Sequence, residues 1–161
     1  MSNYTRIEFS GVLRGVDRRA ADAIRWAFSP DIETSEIVEL PSHPFFSLPR
    51  WLSVLVGGNA IPEDDGENQV HFINDTDISL KLKSLVNDGA QEALLFFDFV
   101  ARYVSLIDGY AKLGMIREHE DSPLSVVHLK LVDTLRYLTI EPYEQDDMNT
   151  TRPTIIAVSA N

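Results

Sequence analysis

Apolar and polar residues alternate along this chain with two periods, one near two that marks strands and one near 3.6 that marks helices. Thr5 to Gly15 sets Ile7 and Phe9 on one face and continues through Val12 and Leu13, which predicts a first strand. Asp17 is suited to cap a first helix, with Ala20, Ala21, Ile24, Ala27 and Phe28 on its apolar face and Arg18, Asp22 and Arg25 opposite. Ser29-Pro30 ends that helix. The signal from 31 to 46 is mixed and reads as a strand or an extended loop. Trp51, Leu52, Leu55 and Val56 then share one face of a short helix closed by Gly57-Gly58, with a strand as the alternative.

The strongest pattern runs from Asn87 to Ser105. Asp88 as N-cap and Gln91 three residues later make a capping box, and the apolar residues that follow cover most of the circumference. Gln91, Asp98 and Arg102 are left as a narrow polar stripe, so Asp98 is expected at the exposed edge, paired with Arg102 four residues on for about 0.3–0.5 kcal/mol. Burial of Phe96, Phe97 and Phe99 outweighs that pair, at roughly 1.5–3 kcal/mol each.

Short strands fill the rest. Val70 to Asn74 and Asp77 to Lys83 form a hairpin through Asn74-Asp75, with Ile78, Leu80 and Leu82 inward and Ser79, Lys81 and Lys83 outward. After a turn at Asp108-Gly109, Ala111, Leu113 and Met115 alternate with Lys112, Gly114 and Ile116 in a strand that runs into a charged tip at Arg117 to Asp121. Leu124 to Val132 returns beside it, and Leu135 to Ile140 follows a turn at Asp133-Thr134. Strands joined by short turns, with helices to cover one side, give an α+β fold: two layers, a mostly antiparallel sheet and two main helices on one face. Residues 1–143 form one domain, and 144–161 an acidic C-terminal tail whose TIIAV run offers an edge strand.

Composition narrows the function classes. The 161 residues are 44% hydrophobic, enough for a core without staples, and contain no cysteine, which removes disulfides, thiolate metal sites and cysteine nucleophiles. The opening MSNYTRIEFSG has neither the basic nor the apolar region of a signal peptide, so a cytoplasmic protein without a membrane segment is expected. The net charge of −11 favours a basic partner and argues against direct contact with nucleic acid, although acidity also serves plain solubility.

Catalytic signatures are missing. No phosphate-binding glycine loop, dinucleotide fingerprint, nucleophile elbow or HExxH helix occurs. A hairpin turning at Ser122-Pro123 would bring His128 back to Glu118, His119, Glu120 and Asp121, a donor set for a divalent metal, but Glu118 and Glu120 fall on one face and His119 on the other. A solvated tip is the simpler reading. No catalytic, cofactor or metal residue is assigned and no enzymatic activity is expected; a small metal-dependent enzyme is an alternative.

The succession HPFFSLPRWLSVLVGG, DISLKLKSLV, NDGAQEALLFFDFVARYV and GYAKLGMIREHEDSP resembles a loosely defined group of small uncharacterised proteins carried by phages and other bacterial mobile elements, in which an R-x-x-E-D-x-P tip follows an aromatic-rich helix. Arg117, Glu120, Asp121 and Pro123 are the matching positions; the first forty residues and the tail depart. The resemblance covers roughly residues 43 to 130 and implies an immunity-like or counter-defence setting.

The expectation is therefore a protein-binding inhibitor that occludes a basic, nucleic-acid-handling target. Its contact residues would be Glu63, Asp64, Asp65 and Glu67, the tip acids Glu118, Glu120 and Asp121, and the tail acids Glu144, Asp146 and Asp147. A structural or assembly component that pairs through the tail strand is the second alternative.

Overall fold

The first strand, β1 (Tyr4–Leu13), sits inside the sheet, and its alternation decides which face is covered. Ile7, Phe9 and Leu13 are buried on one side, whereas Arg6, Glu8 and Ser10 point to the other. A computed structural model describes residues 4–29, 39–57, 68–142 and 153–159. Among these, β2 (Gln69–Phe72), β3 (Ile78–Asn87), β4 (Tyr110–Arg117), β5 (Ser125–Val132), β6 (Leu135–Pro142) and β7 (Thr154–Ala157) join β1 in one antiparallel sheet ordered β2-β3-β1-β4-β5-β6-β7.

Three helices, α1 (Arg18–Ala27), α2 (Trp51–Val56) and α3 (Ala90–Ala101), form the second layer, with one turn of 3-10 helix at Pro44–Ser47. The aromatic residues explain the attachment. Phe96 of α3 meets Phe9 of the sheet edge to face at 5.5 Å and Phe45 of the 3-10 turn at the same distance, while Phe46 meets Phe99 at 5.0 Å. Such contacts add about 0.5–1.5 kcal/mol per pair to burial alone. Ser84, buried on β3, donates to Val54 O at 2.6 Å and so ties α2 to the same face. Among the described residues no helix is long and apolar enough to cross a membrane.

Several expectations are corrected here. β3 continues to Asn87, leaving two residues before α3. Asp88 takes a positive φ of 50° to make that turn, the helix is preceded by Gly89, and no capping box forms. Asp17 stands at the N-cap of α1 without a capping hydrogen bond. In β4 the register shifts between Lys112 and Gly114, so Leu113 and Ile116 are buried and Met115 is not. The shift needs glycine, because a Cβ on Gly114 would lie 1.9 Å from Glu8 O. The TIIAV run does form β7, paired with β6. The expected strand or loop over 31–46 is described only from 39 onward.

Candidate functional site

Glu118, Glu120 and Asp121 occupy the turn between β4 and β5, where all are exposed. Thr5 Oγ1 on β1 donates to Glu118 O at 3.0 Å and Ser122 N to His119 O at 2.9 Å, which holds the turn against the sheet. Glu63, Asp64, Asp65, Glu67, Glu144, Asp146 and Asp147 lie outside the described residues. Their chain neighbours are informative. Ser125 pairs with Ile116 on one side and with Pro142, the last residue of β6, on the other. Thr154 opens β7 opposite Ile140, and β2 starts at Gln69 running antiparallel to β3, so its beginning faces the end that holds Asn87 and Tyr4. Asn68 is fixed there, donating to Leu55 O and Ser84 Oγ at 2.8 and 2.9 Å and accepting from Lys83 N at 2.8 Å. The residues that flank both undescribed acidic runs thus lie toward the sheet end that carries the tip.

The metal arrangement weighed at the tip does not assemble. His128 lies three residues into β5, opposite Lys112, and its Nδ1 meets the hydroxyl of Tyr110. Among the described residues no group of three His, Asp or Glu side chains gathers that could hold an ion. Burial is the main reason the His128 imidazole titrates below its ordinary 6.5; Glu141 opposes the shift and Lys130 and Lys112 add to it.

A second polar group escaped the periodicity argument. Asp98 is buried at 6% exposure rather than standing on an exposed stripe beside Arg102. Its Oδ2 is 2.7 Å from His43 Nε2, its Oδ1 accepts from Ser159 N at 2.9 Å, and the Ser159 hydroxyl bonds Oδ2 as well. His43 Nδ1 accepts from Phe45 N at 3.1 Å, so the proton sits on Nε2 and is donated to Asp98. Burial pushes the Asp98 carboxyl up, but the bonds from His43 and Ser159 outweigh it and the group ends below the ordinary 3.8.

The three residue types are those of a hydrolase, but the order is wrong. Asp98 stands between His43 and Ser159, and both imidazole nitrogens are engaged, so no base faces the hydroxyl. The group is a latch. It ties the 3-10 turn and the residues after β7 to α3, and a cavity of about 690 Å³ opens beside it, lined in part by Arg19, His43, Arg102 and Tyr103. Single-sequence periodicity could not find it, since His43 and Ser159 come from segments far from α3 in sequence.

The open face of the sheet also departs from expectation. Register places Lys81, Lys83, Arg6, Lys112, Arg117 and Lys130 there, and among the described residues the carboxylates that join them on this face are Glu8 and Glu141. Comparison with family models, curated proteins and solved structures gave no match.

Proposed function

We propose that this chain is a non-enzymatic binding protein that inhibits a basic, nucleic-acid-handling protein, such as a toxin nuclease or a host defence complex, by occluding its cationic surface. The observation that carries the reading is the exposed acidic turn between β4 and β5. Glu118, Glu120 and Asp121 are exposed there, and Asn68, Pro142 and Thr154, which flank the other two acidic runs, lie toward the same end. Exposed carboxylates such as Glu118, Glu120 and Asp121 speed encounter with the Lys and Arg of a partner and compete with phosphate for them, which blocks a site without chemistry. The His–Asp–Ser group supports a non-catalytic protein, because its hydrogen-bonding capacity is consumed internally.

Capture from host lysate at low salt, with release at high salt, should yield a basic nucleic-acid-handling protein in stoichiometric amount. Against that protein, the combined change Glu118→Lys, Glu120→Lys and Asp121→Lys should slow association at low salt by about tenfold or more and leave dissociation nearly unchanged. Unaltered association would remove the tip from the interface.

Assembly through β7 is the second reading, and the observation that favours it is an edge strand with Ile155 64% exposed. Ile155→Lys should abolish a strand-paired oligomer while sparing inhibition; deleting the tail is a poorer test, since it also removes Ser159 from Asp98.

A further inference from the structure

All four lysines of the chain, Lys81, Lys83, Lys112 and Lys130, lie on the open face of the sheet, and Arg6 and Arg117 join them. Against Glu8 and Glu141, the described residues of this face carry a local charge of +4, inside a molecule whose total is −11. The expectation of no nucleic-acid contact rested on that total. Charges further apart than about 8 Å are largely screened at physiological salt, so a ligand on this face responds to its local sign.

Lys81, Lys112 and Lys130 are exposed, and among the described residues neither they nor Arg117 has a carboxylate within 4.0 Å. Arg6 and Arg117 stand directly opposite each other on β1 and β4, a like-charge pairing that costs stability unless an anion relieves it. Glu8 lies 3.4 Å from Arg6 and relieves that repulsion in part. Between β3, β1 and β4 the surface dips into a hollow of about 270 Å³ with Lys81, Lys83 and Lys112 in its wall.

Rings are interleaved with these cations. Tyr110, 41% exposed, packs at 5.4 Å against His128, and Lys130 lies between Tyr110 and Tyr137 in register.

We infer that the open face binds single-stranded nucleic acid, with the lysines and Arg6/Arg117 on phosphates and Tyr110, His128 and Tyr137 as the stacking platform for bases. Cations spread over three inter-strand steps, about 14 Å, suit a strand laid across the sheet. Among the described residues no helix or ribbon rises from this face to enter a groove, so a single strand fits it better than a duplex. An acidic polypeptide would answer the charge but would leave the rings without a role.

Anisotropy of a labelled oligodeoxythymidine of about 12 nucleotides, titrated with the full chain, tests this. Binding should weaken between about 50 and 200 mM salt, and replacing Lys81, Lys112 and Lys130 together by Gln should reduce the slope of log K against log salt by about 2. Tyr110→Leu should weaken binding at least fivefold, the lower bound for one stacked base. Both variants are surface changes, and circular dichroism verifies the fold. The triple change of Glu118, Glu120 and Asp121 to Lys removes carboxylates beside Arg117 and should leave oligonucleotide binding intact or tighter while it slows association with a basic partner, so the two readings move in opposite directions. No binding at about 50 mM salt, binding that survives the three glutamines, or equal displacement by polyglutamate would overturn the assignment, the last by giving the face to an acidic polypeptide.

Discussion

Replacing Asp98 by Ala removes the acceptor at the centre of the latch, and the cost follows from what is left behind. His43 is 6% exposed, so its Nε2–H would lose a bond to an ionised carboxylate with little water to replace it, a loss of about 1.5–3 kcal/mol. Ser159 is exposed, so its N–H and hydroxyl recover hydrogen bonds from solvent and add about 1 kcal/mol at most. The sum, about 1.5–4 kcal/mol, should appear at neutral pH as a lower urea midpoint with an unchanged slope. Asp98→Asn keeps one carbonyl for His43 and should cost about 1–2 kcal/mol.

The pH dependence fixes the sign. The folded carboxyl titrates below its ordinary 3.8, so its stabilisation is complete above the unfolded value and is lost as pH falls through the folded one. The gap between the parent chain and Asp98→Asn should therefore be constant near neutrality and close below about pH 4. A cost for Asp98→Ala under about 0.5 kcal/mol, or a gap that persists unchanged to strong acid, would refute an ionised carboxylate holding this latch.

Gly114→Ala forces a methyl onto the backbone of Glu8 and should cost about 3 kcal/mol or more, read as a thermal shift or loss of folded protein; a neutral effect would show that the β1–β4 contact is not as tight as described. Phe96→Ala opens a void among Phe9, Phe45 and Phe97 and should cost about 3–5 kcal/mol by urea unfolding, against under about 1 kcal/mol if those contacts are absent. The His128 imidazole should titrate below 6.5 by NMR, so that protonation opposes folding and stability declines as pH falls from the unfolded value to the folded one. Lys112→Gln should raise that midpoint, and a parent value at or above 6.5 would contradict the half-buried setting beside Lys112 and Lys130.

Local pattern was enough for the layers. Alternation in β1 and β3 and the apolar run of α3 name the buried face, because a period of two or 3.6 sorts side chains before any tertiary contact exists. Hairpins at Asn74-Asp75 and Asp133-Thr134 were legible because the residues that tolerate those turns are few; Asp133 takes a φ of 56°. The exposed tip at Glu118, Glu120 and Asp121 followed from the same reasoning.

The tertiary structure alone decided the rest. Helical spacing put Asp98 on a polar stripe, but burial depends on what packs there, and the partners His43 and Ser159 arrive 55 and 61 residues away in sequence. The β4 bulge arises from the approach of Glu8 to Gly114, a contact between strands that no window along β4 contains. Charge behaved likewise. The sequence determines the total of −11, a sum without positions, whereas antiparallel register across β3, β1, β4 and β5 gathers the four lysines on one face and directs the ends flanking the acidic runs toward another side of the molecule.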